Sequence, residues 1–175
     1  MSAQVKGIDR SFALLAKPSS TRCLILGSMP GRRSLIDNEY YAHPQNCFWR
    51  LMQDIFAIDS NLSYQVRVDK LLSCGVGLWD VVASCERKGS LDSAIVDRSV
   101  EVNDFTQLVA SHTKLENVFF NGAKAEELFV RHVQPAILSS FPERVLGFKR
   151  LPSTSPAHAA MTYQAKLKAW REISK

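Results

Sequence analysis

Apolar residues along the chain fall into two kinds of pattern. Four short runs are mainly apolar, without strict alternation: Cys23-Leu24-Ile25-Leu26, residues 76–83 (VGLWDVVA), Val118-Phe119-Phe120, and residues 145–151, which stop at Pro152. Runs without alternation suit strands covered on both faces, as in a parallel sheet. Between them, apolar positions recur at helical spacing. Phe48, Leu51, Met52, Ile55 and Phe56 form one face; Tyr64, Val68, Leu71 and Leu72 a second; Val102, Phe105, Leu108 and Val109 a third. Ala125, Leu128, Phe129 and Val133 form a fourth, which Pro135 should kink or end, and Tyr163, Leu167 and Trp170 a fifth. A further helix is expected around Ile8 to Ala16. Pro44 sits where a first helical turn accepts proline, which would place Asn46 in that turn.

Alternation of strand and helix, with connections long enough for crossovers, predicts an α/β fold. The expected architecture is a three-layer α/β/α sandwich with a central, mainly parallel four-stranded sheet. With 175 residues, 46% of them hydrophobic, the chain can build one good core, so residues 1–175 are read as a single domain. Ligands of such sheets bind outside the carboxyl ends of the strands. Function is therefore expected in the loops 27–46, 84–98, 121–124 and 151–158.

A formal charge of +5 favours a polyanionic partner only mildly. Cys23, Cys47, Cys74 and Cys85 are scattered, with no CxxC and no zinc-finger spacing, so no metal or iron–sulfur cluster is expected. The thiols are expected to be free in a reducing, cytoplasmic compartment. The first ten residues lack an apolar signal core and no apolar run approaches spanning length, so no membrane role is expected. The chain is read as a monomer by default.

The chemistry gathers in the loops. The first holds Gly27-Ser28-Met29-Pro30-Gly31, then Ser34, then Tyr40-Tyr41-Ala42-His43-Pro44-Gln45-Asn46-Cys47-Phe48-Trp49. It is neither a P-loop nor GxGxxG, and no cofactor is expected. Tyr40 and Trp49 read as core aromatics. A carboxamide at a helix start, such as that of Asn46, can hold water or simply cap the helix. Asn121, at a strand end, can present its paired donor and acceptor to a ligand, or cap the next helix with Gly122. Ser153, Thr154 and Ser155 form either a phosphate grip or a polar turn. Asp80 and Asp92 are either cation-stabilising carboxylates or turn residues.

Gly27-Ser28-x-Pro30-Gly31, Ser34 and Tyr41-Ala42-His43-Pro44-x-Asn46-x-Phe48-Trp49 resemble the first motif of the uracil-DNA glycosylase superfamily. The mismatch-specific branch reads G-I-N-P-G, then S, then F-A-H-P-x-N-x-F-W at the same spacing. Four further segments extend the likeness: residues 77–82 (GLWDVV), 89–93 (GSLDS), Asn121-Gly122-x-Lys124-Ala125, and 151–157 (LPSTSPA). With them the chain is similar to the hypoxanthine-DNA (deoxyinosine) glycosylase family over roughly residues 22–160. Two positions depart from related branches. Met29 stands where the mismatch-specific enzymes carry a water-orienting Asn, and Leu151 where uracil-specific enzymes place a His.

The resemblance implies a monofunctional DNA repair glycosylase that flips a deaminated base, hypoxanthine by preference, out of DNA and hydrolyses its glycosidic bond. Asn46 would orient the attacking water, and no lysine is placed beside it as a Schiff-base nucleophile. Tyr41 would stack on the base, backbone N–H groups around Gly27, Ser28 and Met29 would meet its oxygen, and Asn121 would read its edge. Arg32, Ser34, Lys124, Ser153, Thr154, Ser155 and His158 would contact the DNA. Two alternatives stay open: excision of uracil or mismatched uracil, and a catalytically silent α/β DNA-binding module.

Overall fold

A computed structural model describes residues 7–175. The first six residues, part of the segment read as lacking a signal core, lie outside the described residues. Its centre is a four-stranded sheet in the order β3-β2-β6-β7, formed by β2 (Cys23–Gly27), β3 (Val76–Asp80), β6 (Asn117–Asn121) and β7 (Gly147–Leu151). Every neighbouring pair is parallel.

Side-chain alternation in β2 creates two cores. Leu24 and Leu26 face one way, joining Val118, Phe120, Leu128 and Phe129; Ile25 faces the other, joining Phe119, Phe48, Leu51 and Trp170. Both faces are covered by helices, which is why the central strands β2 and β6 are apolar through their middles, while the edge strand β7 carries the exposed Lys149 and Arg150. On one side lie α4 (Phe105–Ser111), α5 (Ala123–His132) and α6 (Gln134–Ser140); on the other α2 (Phe48–Phe56), α3 (Tyr64–Ser73) and α7 (Tyr163–Trp170). Full burial of large side chains such as Phe48 and Phe120 stabilises the fold by about 1.5–3 kcal/mol each. The three-layer sandwich expected from the sequence is the fold.

Local departures have physical causes. The segment expected to be helical from Ile8 to Ala16 is extended: β1 (Ile8–Arg10) pairs with β4 (Val82–Glu86), and Leu15 exchanges backbone hydrogen bonds with Leu78. Phe12 and Leu14 pack on different cores, so their spacing serves an extended chain between layers. The run 76–83 is two strands. It leaves the parallel sheet at Val81 and continues as β4, the centre of a second, antiparallel sheet β1-β4-β5 completed by Glu101–Val102. Val102 therefore belongs to β5, and α4 starts at Phe105, where the Asp104 carboxylate accepts the Gln107 N–H at 2.9 Å. The expected loop 84–98 begins as strand, and the loop 27–46 contains a short helix, α1 (Arg32–Asp37). Pro135 ends one helix and opens another, as its missing N–H requires.

Candidate active site

The loops after β2, β4, β6 and β7, with the last residue of β3, converge on one cleft of about 540 Å³, within the range of pockets that enclose a small ligand. It lies where a parallel sheet places ligands, because successive strand ends deliver their loops to the same edge.

The loop after β2 is clasped from below. The Gly27 carbonyl accepts the Val81 N–H at 2.9 Å and the Ser28 carbonyl accepts the Val82 N–H at 3.1 Å, so the turn between β3 and β4 props the glycine-rich wall. The Ser28 hydroxyl donates to Asp92 at 2.6 Å. Met29 turns its side chain into the core. The fully buried Arg87 side chain donates to the Pro30 carbonyl at 2.6 Å and pairs with Asp9 at 2.9 Å, fixing this loop to β1. On the outer rim, Arg32 is exposed and its backbone N–H donates to the Ser90 hydroxyl at 3.0 Å.

Ser34 is buried, and its hydroxyl accepts the Ala42 N–H at 3.2 Å. It shapes the next wall and does not present its hydroxyl to solvent. Tyr41 adopts a left-handed conformation (φ 58°), uncommon for a bulky residue, and its ring stacks on Phe48 at 4.0 Å. Asn46 does not lie within the first turn of α2, which starts at Phe48. It sits two residues earlier, where its N–H donates to the His43 carbonyl at 2.8 Å and its Oδ1 accepts the Phe48 N–H at 3.0 Å. The carboxamide thus closes the helix entrance and also lines the cleft.

Asn121 and Thr154 form the opposite wall. The Asn121 Nδ2 donates to Thr154 Oγ1, and the Thr154 N–H donates to Asn121 Oδ1, both at 2.9 Å. Asn121 does not cap α5; the residue at that cap is Gly122, at φ 99°, where a Cβ would meet the Ser153 Cβ at 3.0 Å. Thr154 is buried, and its carbonyl accepts the Cys47 N–H at 3.2 Å. Ser153 and Ser155 are partly exposed, their hydroxyls accepting the Ser155 and Ala157 N–H groups. His158 is exposed on the cleft rim, held through its carbonyl by the buried Lys166 ammonium at 2.9 Å. Lys124 is not a cleft residue: its ammonium lies 3.2 Å from Glu127 and 3.5 Å from Asp97.

Asp80, whose role the sequence left open, closes β3 on the cleft floor, 3% exposed. Its Oδ1 stands 2.5 Å from where a Gly27 Cβ would be, so only glycine fits there. Oδ2 is buried without a hydrogen-bond partner, as are the hydroxyls of Tyr40 and Tyr41. Burial, and then the charge of Asp92, push the Asp80 carboxyl up to about 8; the Tyr40 hydroxyl and Arg87 pull weakly the other way. Burial likewise raises the Tyr41 hydroxyl above the usual phenol range. Asp92 is also raised by desolvation, opposed by its Ser28 hydrogen bond. The sequence signal for Asp80 was its position, the one ionisable residue in an otherwise apolar run. His43, Ser90 and Leu91, which the sequence marked only as parts of motif segments and gave no role, also line the cleft.

Among the described residues, no cluster of three or more His, Cys, Asp or Glu side chains could hold a metal, and no helix is long and apolar enough to cross a membrane.

Fold and site together define a three-layer α/β protein with an aromatic- and amide-lined cleft across the carboxyl ends of its parallel strands. The chain belongs to the uracil DNA glycosylase superfamily, whose family model matches residues 15–174. It is 39% identical over 156 residues to a protein of Methanosarcina acetivorans named hypoxanthine DNA glycosylase, covering 86% of this chain and 89% of that one. A protein of the same name from Methanosarcina barkeri is 41% identical over 109 residues, 62% of this chain and 68% of the other. The fold is similar to a solution NMR structure from Methanosarcina acetivorans assigned provisionally as a uracil DNA glycosylase. The TM-score is 0.78 at 31% identity, over 96% of this chain and 97% of that one.

Proposed function

We propose that the chain is a monofunctional DNA glycosylase that excises a deaminated base, hypoxanthine foremost, and leaves an abasic site. The observation that carries this is the Asn46 carboxamide at the cleft, facing the walls of Tyr41 and Asn121, in a chain about 40% identical to hypoxanthine DNA glycosylases. Scattered free thiols fit action in a reducing cytoplasm, and the chain is taken to act as a monomer.

Extruding the nucleotide costs a few kcal/mol, least where a deaminated base pairs poorly. Tyr41, backed by Phe48, offers a rigid platform, and base–aromatic stacking returns about 1–3 kcal/mol. Asn46 Oδ1 keeps a second lone pair and Nδ2 its donors, enough to hold a water against the sugar carbon. A neutral amide suffices because the electrophile is already nearly a cation, so positioning is the larger effect. Backbone N–H groups of the Gly27–Met29 wall meet charge developing on the base oxygen. Asn121 reads the base with the donor and lone pair that Thr154 leaves unused.

On the rim, Arg32, Ser153, Ser155 and His158 grip phosphates, while Ser34 and Thr154 act from behind by fixing the loops. Lys124 adds only long-range attraction, weakened by its carboxylate neighbours and by salt.

The test is incubation with labelled duplexes containing deoxyinosine, deoxyuridine or deoxyxanthosine, followed by alkaline cleavage at abasic sites. Excision of hypoxanthine above the others is expected. Cleavage only at deoxyuridine would assign the chain to uracil removal, and DNA binding without any cleavage would leave a silent binding module.

A further inference from the structure

Three polar atoms meet beneath the cleft without hydrogen-bond partners: Asp80 Oδ2 and the hydroxyls of Tyr40 and Tyr41. Burying such groups unsatisfied costs stability, and a fold retains them where a ligand or reaction uses them. Asp80 is the carboxyl among them, and it lines the cavity floor. The room for its carboxyl exists because residue 27 has no Cβ. Two opposing carboxyl groups, one enclosed and one exposed, are an arrangement that splits their protonation states. Here the enclosed one is Asp80, and the exposed one is Asp92, already bonded to Ser28.

We propose that Asp80 is the acid of the reaction: from the cleft floor its carboxylic acid gives a proton to the departing base as the glycosidic bond breaks. This rests on the glycosylase function proposed above and adds a catalytic role to it. The C1′–N bond breaks with its electron pair going to the base. The base takes the Asp80 proton on a ring nitrogen or exocyclic oxygen and leaves neutral. Water, oriented by Asn46, adds its oxygen to C1′ and releases one proton, which restores the Asp80 acid through solvent. A purine is a poor leaving group as an anion, so a proton delivered at that moment accelerates the step where a hydrogen bond alone does less.

Burial first, and then the charge of Asp92, favour the protonated form of Asp80. Tyr40 and Tyr41 from the loop before α2 and Tyr64 from α3 are neutral phenols, and Asp92 from the 89–95 loop is a like charge. The Tyr40 hydroxyl, which faces the carboxyl, and Arg87, just past β4, pull the other way, and Arg87 is committed to Asp9 and Pro30. The carboxyl is accordingly held up to about 8.

The experiment is the single-turnover excision rate on a deoxyinosine duplex from pH 6 to 9.5, for wild type and Asp80→Asn. The wild-type rate should be level to about pH 8 and fall about tenfold per unit above it. Asp80→Asn, which can donate a hydrogen bond but not a proton, should be on the order of 100-fold slower and lack the fall. A wild-type rate that rises through pH 8, or a variant with unchanged rate and profile, overturns the proposal. Infrared or carbon NMR detection of the Asp80 carboxyl in the wild-type protein needs no turnover. A protonated group at pH 7 supports the assignment and an ionised one overturns it. Absence of excision at every deaminated base would count against the glycosylase function itself, while the carboxyl measurement still decides the state of Asp80.

Discussion

The side chain of Asn121 and residue Thr154 hold each other by two hydrogen bonds of 2.9 Å, one through the Thr154 hydroxyl and one through its backbone N–H. Because the Thr154 carbonyl also receives the Cys47 N–H, one buried residue joins the ends of β6 and β7 to the entrance of α2. The two walls that carry Asn121 and Asn46 are set against each other by this contact. Thr154→Val keeps the shape and removes the hydroxyl, leaving one Asn121 N–H short of its partner. A loss of about 1–3 kcal/mol in urea unfolding is expected, with a fall in excision rate larger than the loss of DNA affinity.

Asn46 has a structural and a proposed catalytic task, and two substitutions separate them. Asn46→Asp keeps an oxygen for the Phe48 N–H, so its stability should stay near wild type. Asn46→Ala should lose about 0.5–2 kcal/mol with the hydrogen bond that its Oδ1 accepts from the Phe48 N–H at the helix entrance. Loss of water positioning should lower excision on the order of 100-fold in the alanine variant. Chemical denaturation and single-turnover assays on the same preparations check both. An active alanine variant would remove Asn46 from the mechanism.

Gly27→Ala places a methyl 2.5 Å from Asp80 Oδ1, closer than real contacts allow. The carboxyl must move, and excision should fall sharply while the far-UV circular dichroism stays that of the folded protein. Overpacking of this kind costs about 1–3 kcal/mol, measurable as a lower urea midpoint.

Arg87→Met removes a fully buried guanidinium and leaves Asp9 and the Pro30 carbonyl without it. A destabilisation of about 3–5 kcal/mol is expected. The double variant Arg87→Met/Asp9→Leu should recover part of it, because both charges are then gone. A thermodynamic cycle over the four proteins tests this.

Stability should fall with pH because of Asp80. Its carboxyl is held up to about 8 when folded and near the ordinary aspartate value of about 4 when unfolded. Between those values the folded state binds more protons than the unfolded state, so stability declines as pH rises and levels off above 8. Asp80→Asn lacks the proton exchange. The stability difference, variant minus wild type, should therefore grow across that window, as followed by urea unfolding at fixed ionic strength.

Much of the architecture was legible because periodicity records burial. Continuous apolar runs at 23–26 and 118–120 are strands with a core on each face, and Phe48, Leu51 and Met52 are one face of a helix. The glycine-proline loop, Tyr41 and Asn46 were also legible, since special backbone and unusual polar clusters leave a local mark. Phe12, Leu14 and Leu15 misled, because helical spacing cannot be told from an extended chain that feeds two layers alternately. The run at 76–83 misled for a related reason: leaving one sheet for another at Val81 changes partners without changing polarity.

By itself, then, the sequence determined the class of fold, the edge of the sheet that carries the site and the family of the protein, since local preference and hydrophobic pattern are properties of short segments. Which polar groups are spent and which are available was decided only in three dimensions. Ser34 and Thr154 turned inward as struts and Lys124 was drawn off to Asp97 and Glu127, while Asp80 was enclosed behind Gly27. Hydrogen-bond partners and desolvation come from residues distant along the chain, and these long-range neighbours set both the direction of each side chain and the proton it holds.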